Sequence, residues 1–299
     1  MSNELDEFLP VSRFDYDLPR ELIAQQPIEP RDAARLLVVS RRERLLSDHV
    51  FHELPNLLQP GDLLVVNDTR VLPARLIARR VTGGQLELLL LSRQPDGCWT
   101  ALAKPARRLR SGERFILVTA GGDDSGETAT IVRRDESGVV VSFGDESVIR
   151  RHGRTPLPPY ITERVSDPER YQTIYGRLEG SAAAPTAGLH FTPGVLERCR
   201  ERGVTMTTVT LHVGLDTFQP IKTQDAREHR IHSEWFEIPA ESLRAVRDAK
   251  RSGRRIVAVG TTSVRTLESA SAEIMSDDDD VPTTLSGSTR LYITPGYRY

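Results

Sequence analysis

ARLIARRVTGGQLELLLL, residues Ala74 to Leu91, reads as two short strands, Ala74–Arg80 and Gln85–Leu91, around the turn Gly83-Gly84. Further short runs follow at close spacing: Trp99–Ala103, Arg114–Val118, Glu127–Arg133, Val139–Phe143 and Ser147–Ile149. Asp96-Gly97, Ser111-Gly112 and Ser137-Gly138 supply turns between several of them. No helical period of apolar residues runs through this region. Closely spaced strands with glycine turns predict a small all-β barrel or sandwich.

On both sides of it the texture is mixed, so the β-rich region is read as an insertion. The expected division is a main domain of residues 1–70 plus 155–299 and an inserted barrel of 71–154. Before the insertion, Leu18–Gln26 reads as a helix capped by Asp17 and closed before Pro27. Leu36–Val39 and Leu45–Val50 read as a strand pair, and His52–Leu58 as a helical turn. Asp62–Val66 reads as a buried strand running into the polar cluster Asn67-Asp-Thr-Arg70, a strand end where sites tend to lie.

After the hinge Thr155-Pro-Leu-Pro-Pro159, helix and strand alternate. A helix over Pro193–Arg202 has Thr192 as N-cap and Pro193 in its first position. Then come a strand within Val204–Val213, a helix over Pro239–Ser252, a strand Arg255–Val259 and a helix Val264–Met275. This order predicts an α/β (mixed α+β) class, a mostly parallel sheet with ligand loops at its C-terminal edge.

Composition bounds the partners. Apolar residues at 38% and charged residues at 27% fit a soluble globular protein. The acidic N-terminus is no secretory signal, and the longest apolar run is too short to span a bilayer. A cytoplasmic protein without membrane association is expected. Cys98 and Cys199 lie far apart, which speaks against a disulfide framework or structural zinc. A net charge of −2 excludes bulk attraction to nucleic acid but not a local patch. Basic residues do cluster: Lys104, Arg107, Arg108, Arg110 and Arg114; Arg150, Arg151 and Arg154; and Arg247, Lys250, Arg251, Arg254 and Arg255.

Four strings carry chemistry. Gly180–Thr192, GSAAAPTAGLHFT, is built of small residues with Thr186, Gly188 and His190 among them, and it feeds a helix N-terminus. Such a loop suits a ligand with a carboxylate or phosphate. Gly260-Thr261-Thr262-Ser263, followed by Arg265, presents N–H groups and hydroxyls after a strand, without P-loop spacing. Leu211-His212-Val-Gly214 marks another strand end. Glu228-His229 to His232-Ser-Glu234 gathers imidazoles and carboxylates. Without HExxH spacing, that last group suits proton transfer or hydrogen bonding to sugar hydroxyls better than a metal. No GxGxxG occurs, which argues against a Rossmann-type methyltransferase or dehydrogenase.

Taken in order, these strings resemble the S-adenosylmethionine:tRNA ribosyltransferase-isomerase family of queuosine biosynthesis. The resemblance is collinear over nearly the whole chain: Phe14–Pro27, Val66–Arg75, Pro156–Ile161, Tyr171-Gln-Thr, Ala184–Thr192, His212-Val-Gly-Leu, Glu228–Glu234, Gly260–Glu268 and Tyr292–Tyr297. It implies a mixed α/β domain with an inserted barrel. It also implies S-adenosylmethionine as ribosyl donor and a tRNA with a GUN anticodon carrying 7-aminomethyl-7-deazaguanine as acceptor. Adenine and methionine leave, and the tRNA product carries epoxyqueuosine. The sulfonium activates the donor, so no metal or further cofactor is expected. Proton transfer is expected from His190, His212, His232 and Glu234, and donor binding from Thr186, Gly188, Gly214, Gly260, Thr261, Thr262, Ser263 and Arg265. Lys104, Arg107, Arg108 and Arg110 are expected on tRNA phosphates, and a monomer is expected. Relatives continue beyond the Pro-Gly-Tyr segment with an Asn-Phe-His-Leu-Pro-type motif. This chain ends at Tyr299, so a tRNA-binding relative impaired in catalysis is the alternative expectation.

Overall fold

The computed structural model describes residues 8–80, 83–107, 109–119, 121–135, 138–163, 167–214, 221–231, 233–276 and 284–299. His232 and Arg108 lie outside them. The chain forms two compact units, one of Met1–Thr69, Pro159–Leu178 and Ala184–Tyr299, the other of Arg70–Pro158 and Glu179–Ala183.

The second unit is a closed barrel in the order 138–143, 99–104, 85–93, 75–80, 114–118 and 124–135. Its core follows from alternation. In Gln85–Arg93, Leu86, Leu88 and Leu90 point inward and are buried while their neighbours face out. Phe115, Leu117, Ile131, Val139 and Val141 fill the same interior. Ser147–Ile149, expected as a strand, instead opens the helix Val148–His152. Asp145 starts that turn by accepting the Ser147 N–H at 2.9 Å, and consecutive Val148 and Ile149 both reach the barrel core. A strand would have put one of them in water.

The first unit is organised by a five-stranded sheet ordered Ile256–Ala258, Leu63–Asn67, Thr205–Leu211, Glu234–Pro239 and Thr284–Thr289. The first three strands run parallel, with Leu63 level with both Thr205 and Ile256. The last two add antiparallel, Thr210 facing Glu237 and Trp235 facing Ser288. The sheet is therefore mixed: parallel where helices intervene, antiparallel at the far side. Helices Ala240–Arg251 and Thr261–Ser269 lie on this sheet, the first tied to it by a Thr207–Ser242 hydroxyl bond of 2.8 Å. The helix Pro193–Glu201 starts as its sequence requires, with Thr192 Oγ1 accepting the Val195 N–H at 3.2 Å. Val195 and Cys199 pack with Phe191, Leu64 and Phe51.

Two further expectations are corrected. Leu18–Gln26 holds only a single 3-10 turn at Arg20–Leu22. Leu18 and Leu22 are largely exposed, and a short helix without a buried face is not sustained. The helix expected from Val264 starts at Thr261, directly after Gly260 at φ +86°, and breaks at Ala270 into Thr261–Ser269 and Ser271–Met275. Among the described residues no helix is long and apolar enough to cross a membrane.

Candidate active site

All three parallel strands deliver polar residues at their C-terminal ends. Leu63 to Val66 are fully apolar and buried, and Asn67, Asp68 and Thr69 follow while still buried. Asn67 splices two strands: its Nδ2 donates to the Leu211 carbonyl at 3.0 Å, and its Oδ1 accepts the Leu211 and Thr69 N–H groups, each at 3.1 Å. Asp68 accepts from Thr210 Oγ1 at 2.6 Å and from Arg177 at 2.8 Å, so the buried carboxylate is paired. Thr69 Oγ1 hydrogen-bonds His212 Nδ1 at 2.8 Å. The His212 ring stacks on Trp235, centroids 5.0 Å apart and planes 27° off parallel. Burial pushes the His212 pKa down, and the Asp68 charge opposes that. A neutral imidazole is the result.

The next strand starts with Glu234, 6% exposed. Its Oε1 accepts the Gly214 N–H at 2.6 Å, and its Oε2 pairs with Arg265. Arg265 also donates to the Thr289 carbonyl at 3.0 Å. Glu234 and Arg265 thus lock the helix Thr261–Ser269 to two strands and to the turn after His212. A Cβ on Gly214 would come within 3.3 Å of Glu234 Oε1, so glycine lets the loop close on the carboxylate.

Gly260 ends the edge strand, and a Cβ built on it would lie 3.2 Å from Ala187 Cβ. Contact of Gly260 with the Ala187 side chain brings the small-residue loop onto the start of the helix Thr261–Ser269. The first N–H groups of that helix have no partner within it. Ser263 is buried and donates its hydroxyl back to the Val259 carbonyl at 2.9 Å, which ties the first turn of the helix to the strand end. Thr186 to His190 form a 3-10 turn. His190 Nδ1 lies 3.2 Å from the Ala187 carbonyl. A carbonyl only accepts, so Nδ1 is held as the donor in this contact, and Nε2 is the ring nitrogen left to face a ligand. Phe51 packs on that ring at 5.3 Å. Gly188 is buried against Tyr175, whose hydroxyl would stand 2.1 Å from an added Cβ.

His190, His212, Glu234, Gly214, Gly260 to Ser263 and Arg265 are therefore gathered at one sheet edge, through Gly260–Ala187, Glu234–Arg265 and Thr69–His212. Thr186 is exposed on the same loop. His232 has no described position. Lys104, Arg107 and Arg110 stand exposed on the barrel unit, around the buried anchor Leu109. The other basic clusters are partly committed: Arg150 and Arg151 pair with Glu179 and Glu127, Arg255 with Asp62, and Arg247 with the Glu273 carbonyl. Sequence reading placed Asn67, Asp68 and Thr69 at a strand end without giving them roles, and it missed Arg177 and Trp235. The signal for the first three was a polar triplet straight after an unbroken apolar strand.

Residues 11–299 match the family model described as "Queuosine biosynthesis protein". The chain belongs to that family. It is 47% identical to the S-adenosylmethionine:tRNA ribosyltransferase-isomerase of Symbiobacterium thermophilum, over 97% of this chain and 84% of that one. With the protein of the same name from Carboxydothermus hydrogenoformans it shares 48%, over 96% of this chain and 82% of the other. A crystal structure of the S-adenosylmethionine tRNA ribosyltransferase from Thermotoga maritima is 33% identical, with a TM-score of 0.47, covering 96% of this chain and 81% of that one.

Proposed function

We infer that the chain is an S-adenosylmethionine:tRNA ribosyltransferase-isomerase, moving the ribosyl group of the donor onto 7-aminomethyl-7-deazaguanine at the wobble position of tRNAs with a GUN anticodon. Family membership and the names of its relatives support this reading. The observation that carries it is the meeting of four sequence strings at the C-terminal edge of the parallel strands, where open α/β sheets place their ligands.

The start of the helix Thr261–Ser269 suits the carboxylate of the donor's methionine moiety, with Gly260, Thr261 and Thr262 supplying N–H groups and hydroxyls. Thr186, Gly188 and Gly214 shape the loops around it. Ribosyl transfer and ring rearrangement require removal of protons from ribose and acceptor amine and protonation of departing adenine. His190 presents Nε2 with its Nδ1 held by the Ala187 carbonyl, and His212 is an imidazole fixed by Thr69 whose pKa burial lowers; both fit those steps. His232 joins them as a proton-transfer residue on its sequence position. Glu234 has both oxygens engaged, so its role is to position Arg265 and the Gly214 turn. Lys104, Arg107, Arg108 and Arg110 supply phosphate contacts to the tRNA, a sequence-independent attraction. A monomer in the cytoplasm suffices for this reaction.

The test is incubation with labelled S-adenosylmethionine and tRNA bearing the aminomethyl precursor. Free adenine and methionine, with mass added to the tRNA, are the expected products. S-adenosylhomocysteine, or tRNA binding with no adenine released, overturns the assignment.

A further inference from the structure

The neutral imidazole of His212 has a neighbour that proton transfer does not use. Side chains alternate along a strand, so Glu234 and Trp235 point to opposite faces of the sheet. Glu234 meets Arg265 of the helix Thr261–Ser269. Trp235 points the other way and is 38% exposed, although its ring is stacked on His212. One side of the indole is thus fixed by protein, in register with the strand end, while the residue stays accessible to a ligand. Trp99, the other tryptophan, is 6% exposed and hydrogen-bonded to Glu146 inside the barrel unit.

Around Trp235 the surface is polar. Ser288 faces it across the strand pair, and Ser286 faces Glu237. Arg290, exposed, follows Ser288 by two residues. Arg177 has 66% of its side chain exposed and reaches Thr208 Oγ1 at 3.4 Å, while anchored on buried Asp68. Thr208 lies four residues before His212 on its strand, about 13 Å away. The Gly260 turn, where the donor's carboxylate is placed above, is three strand spacings off, about 14 Å. A rigid, accessible indole between two exposed guanidinium groups matches how unpaired RNA bases are held: stacking on aromatic side chains with arginines on the flanking phosphates. Glu237, two residues on and on the same face, suits the amino groups of a base as a hydrogen-bond acceptor.

We propose that Trp235, backed by His212, is the stacking platform for an unpaired base of the tRNA substrate, with Arg177 and Arg290 directed at the adjoining phosphates. The proposal rests on the reading that this chain acts on tRNA, and its test needs no turnover. The 299-residue chain is titrated with an anticodon stem-loop RNA while tryptophan emission and RNA retention on a filter are followed together. RNA binding should quench the emission, Trp99→Phe should keep the quench and Trp235→Phe should remove it. Trp235→Ala should weaken RNA binding about ten-fold or more, the scale of one lost base stack. Trp235→Phe should retain most of the affinity, and S-adenosylmethionine binding by calorimetry should be unchanged in both. RNA bound without any change in Trp235 emission overturns the proposal, as does Trp235→Ala binding RNA normally. A quench produced by S-adenosylmethionine alone would assign the indole to the donor's adenine and overturn it too. No RNA retention by the wild-type chain, together with no adenine release, would bring down the functional reading itself.

Discussion

The barrel unit and the strand-end site are both well buried, yet they bury opposite things. Inside the barrel are Leu76, Leu88, Phe115 and Ile131, each essentially inaccessible, with no charge among them. At the sheet edge the buried residues include Asn67, Asp68, Thr69 and Glu234, each held by hydrogen bonds or an ion pair. Hydrocarbon burial stabilises wherever it occurs. Buried charge does not: its desolvation cost is offset only by partners in good geometry, and an apolar replacement is often as stable. A fold that keeps Glu234 and Arg265 buried together is therefore keeping them for placement.

The largest effects should come from breaking each region at its centre. Phe115→Ala in the barrel should cost about 3–5 kcal/mol in denaturant unfolding. Arg265→Ala should cost a similar amount, about 3–5 kcal/mol, because it removes the guanidinium that pairs with the buried Glu234 carboxylate. Activity separates them. Under conditions where both variants are folded, the Phe115 variant should release adenine at nearly the normal rate per folded molecule, and the Arg265 variant should not. Replacing both partners, Glu234→Gln with Arg265→Met, should restore much of the stability but not the activity. A folded Arg265→Ala protein with normal turnover would erase the distinction between the two regions.

Glycines give a smaller contrast. Gly188 sits where an added Cβ would meet the Tyr175 hydroxyl at 2.1 Å and Thr173 Cγ2 at 2.9 Å. Gly188→Ala should therefore cost about 1–3 kcal/mol by overpacking, measured as a shift in unfolding midpoint. Tyr175→Phe in the same chain should recover part of it by removing the oxygen. Gly112, in a barrel turn at φ +79°, has nothing within 4 Å of its would-be Cβ. Gly112→Ala should cost only about 1 kcal/mol of backbone strain, with no recovery from any neighbouring change. Equal costs, or no recovery by Tyr175→Phe, would mean that Gly188 is chosen for its backbone or for a ligand.

These contrasts also mark what was legible in the sequence. The barrel declared itself because most of its strands pair with near neighbours across glycine turns, and because Gln85–Arg93 buries every second residue from Leu86 to Leu90. The helix Pro193–Glu201 was readable from Thr192 and Pro193, a local cap. Glu234–Pro239 and Thr284–Thr289 were not, because each is short and their pairing joins segments some fifty residues apart. For the same reason Trp235 went unnoticed: its stack on His212 depends on a register that no local pattern encodes. Glu234 was recognised as chemically able, but its fixed partners, Gly214 and Arg265, become visible only when the strands are aligned. Gly188 read as room for a ligand, and in the fold its space is taken by Tyr175.

The smallest effect expected is a pH dependence centred on His212. Burial lowers its folded-state pKa, with the Asp68 charge working against that shift. In the unfolded chain an unperturbed histidine titrates near about 6.5. Between the lowered folded value and about 6.5 the unfolded chain binds more protons than the folded one, so stability rises with pH there. The contribution is intact above about 6.5 and declines as pH falls toward the folded value. His212→Gln removes the titration while keeping a polar group near Thr69 Oγ1. Unfolding midpoints at pH about 7.5 and about 5.5 should fall less steeply for this variant than for the wild type. Other groups titrate in that interval too, so the difference between the two slopes is the quantity that counts. Equal slopes for His212→Gln and the wild type would mean that His212 is not the neutral, burial-tuned imidazole that the Thr69 and Trp235 contacts describe.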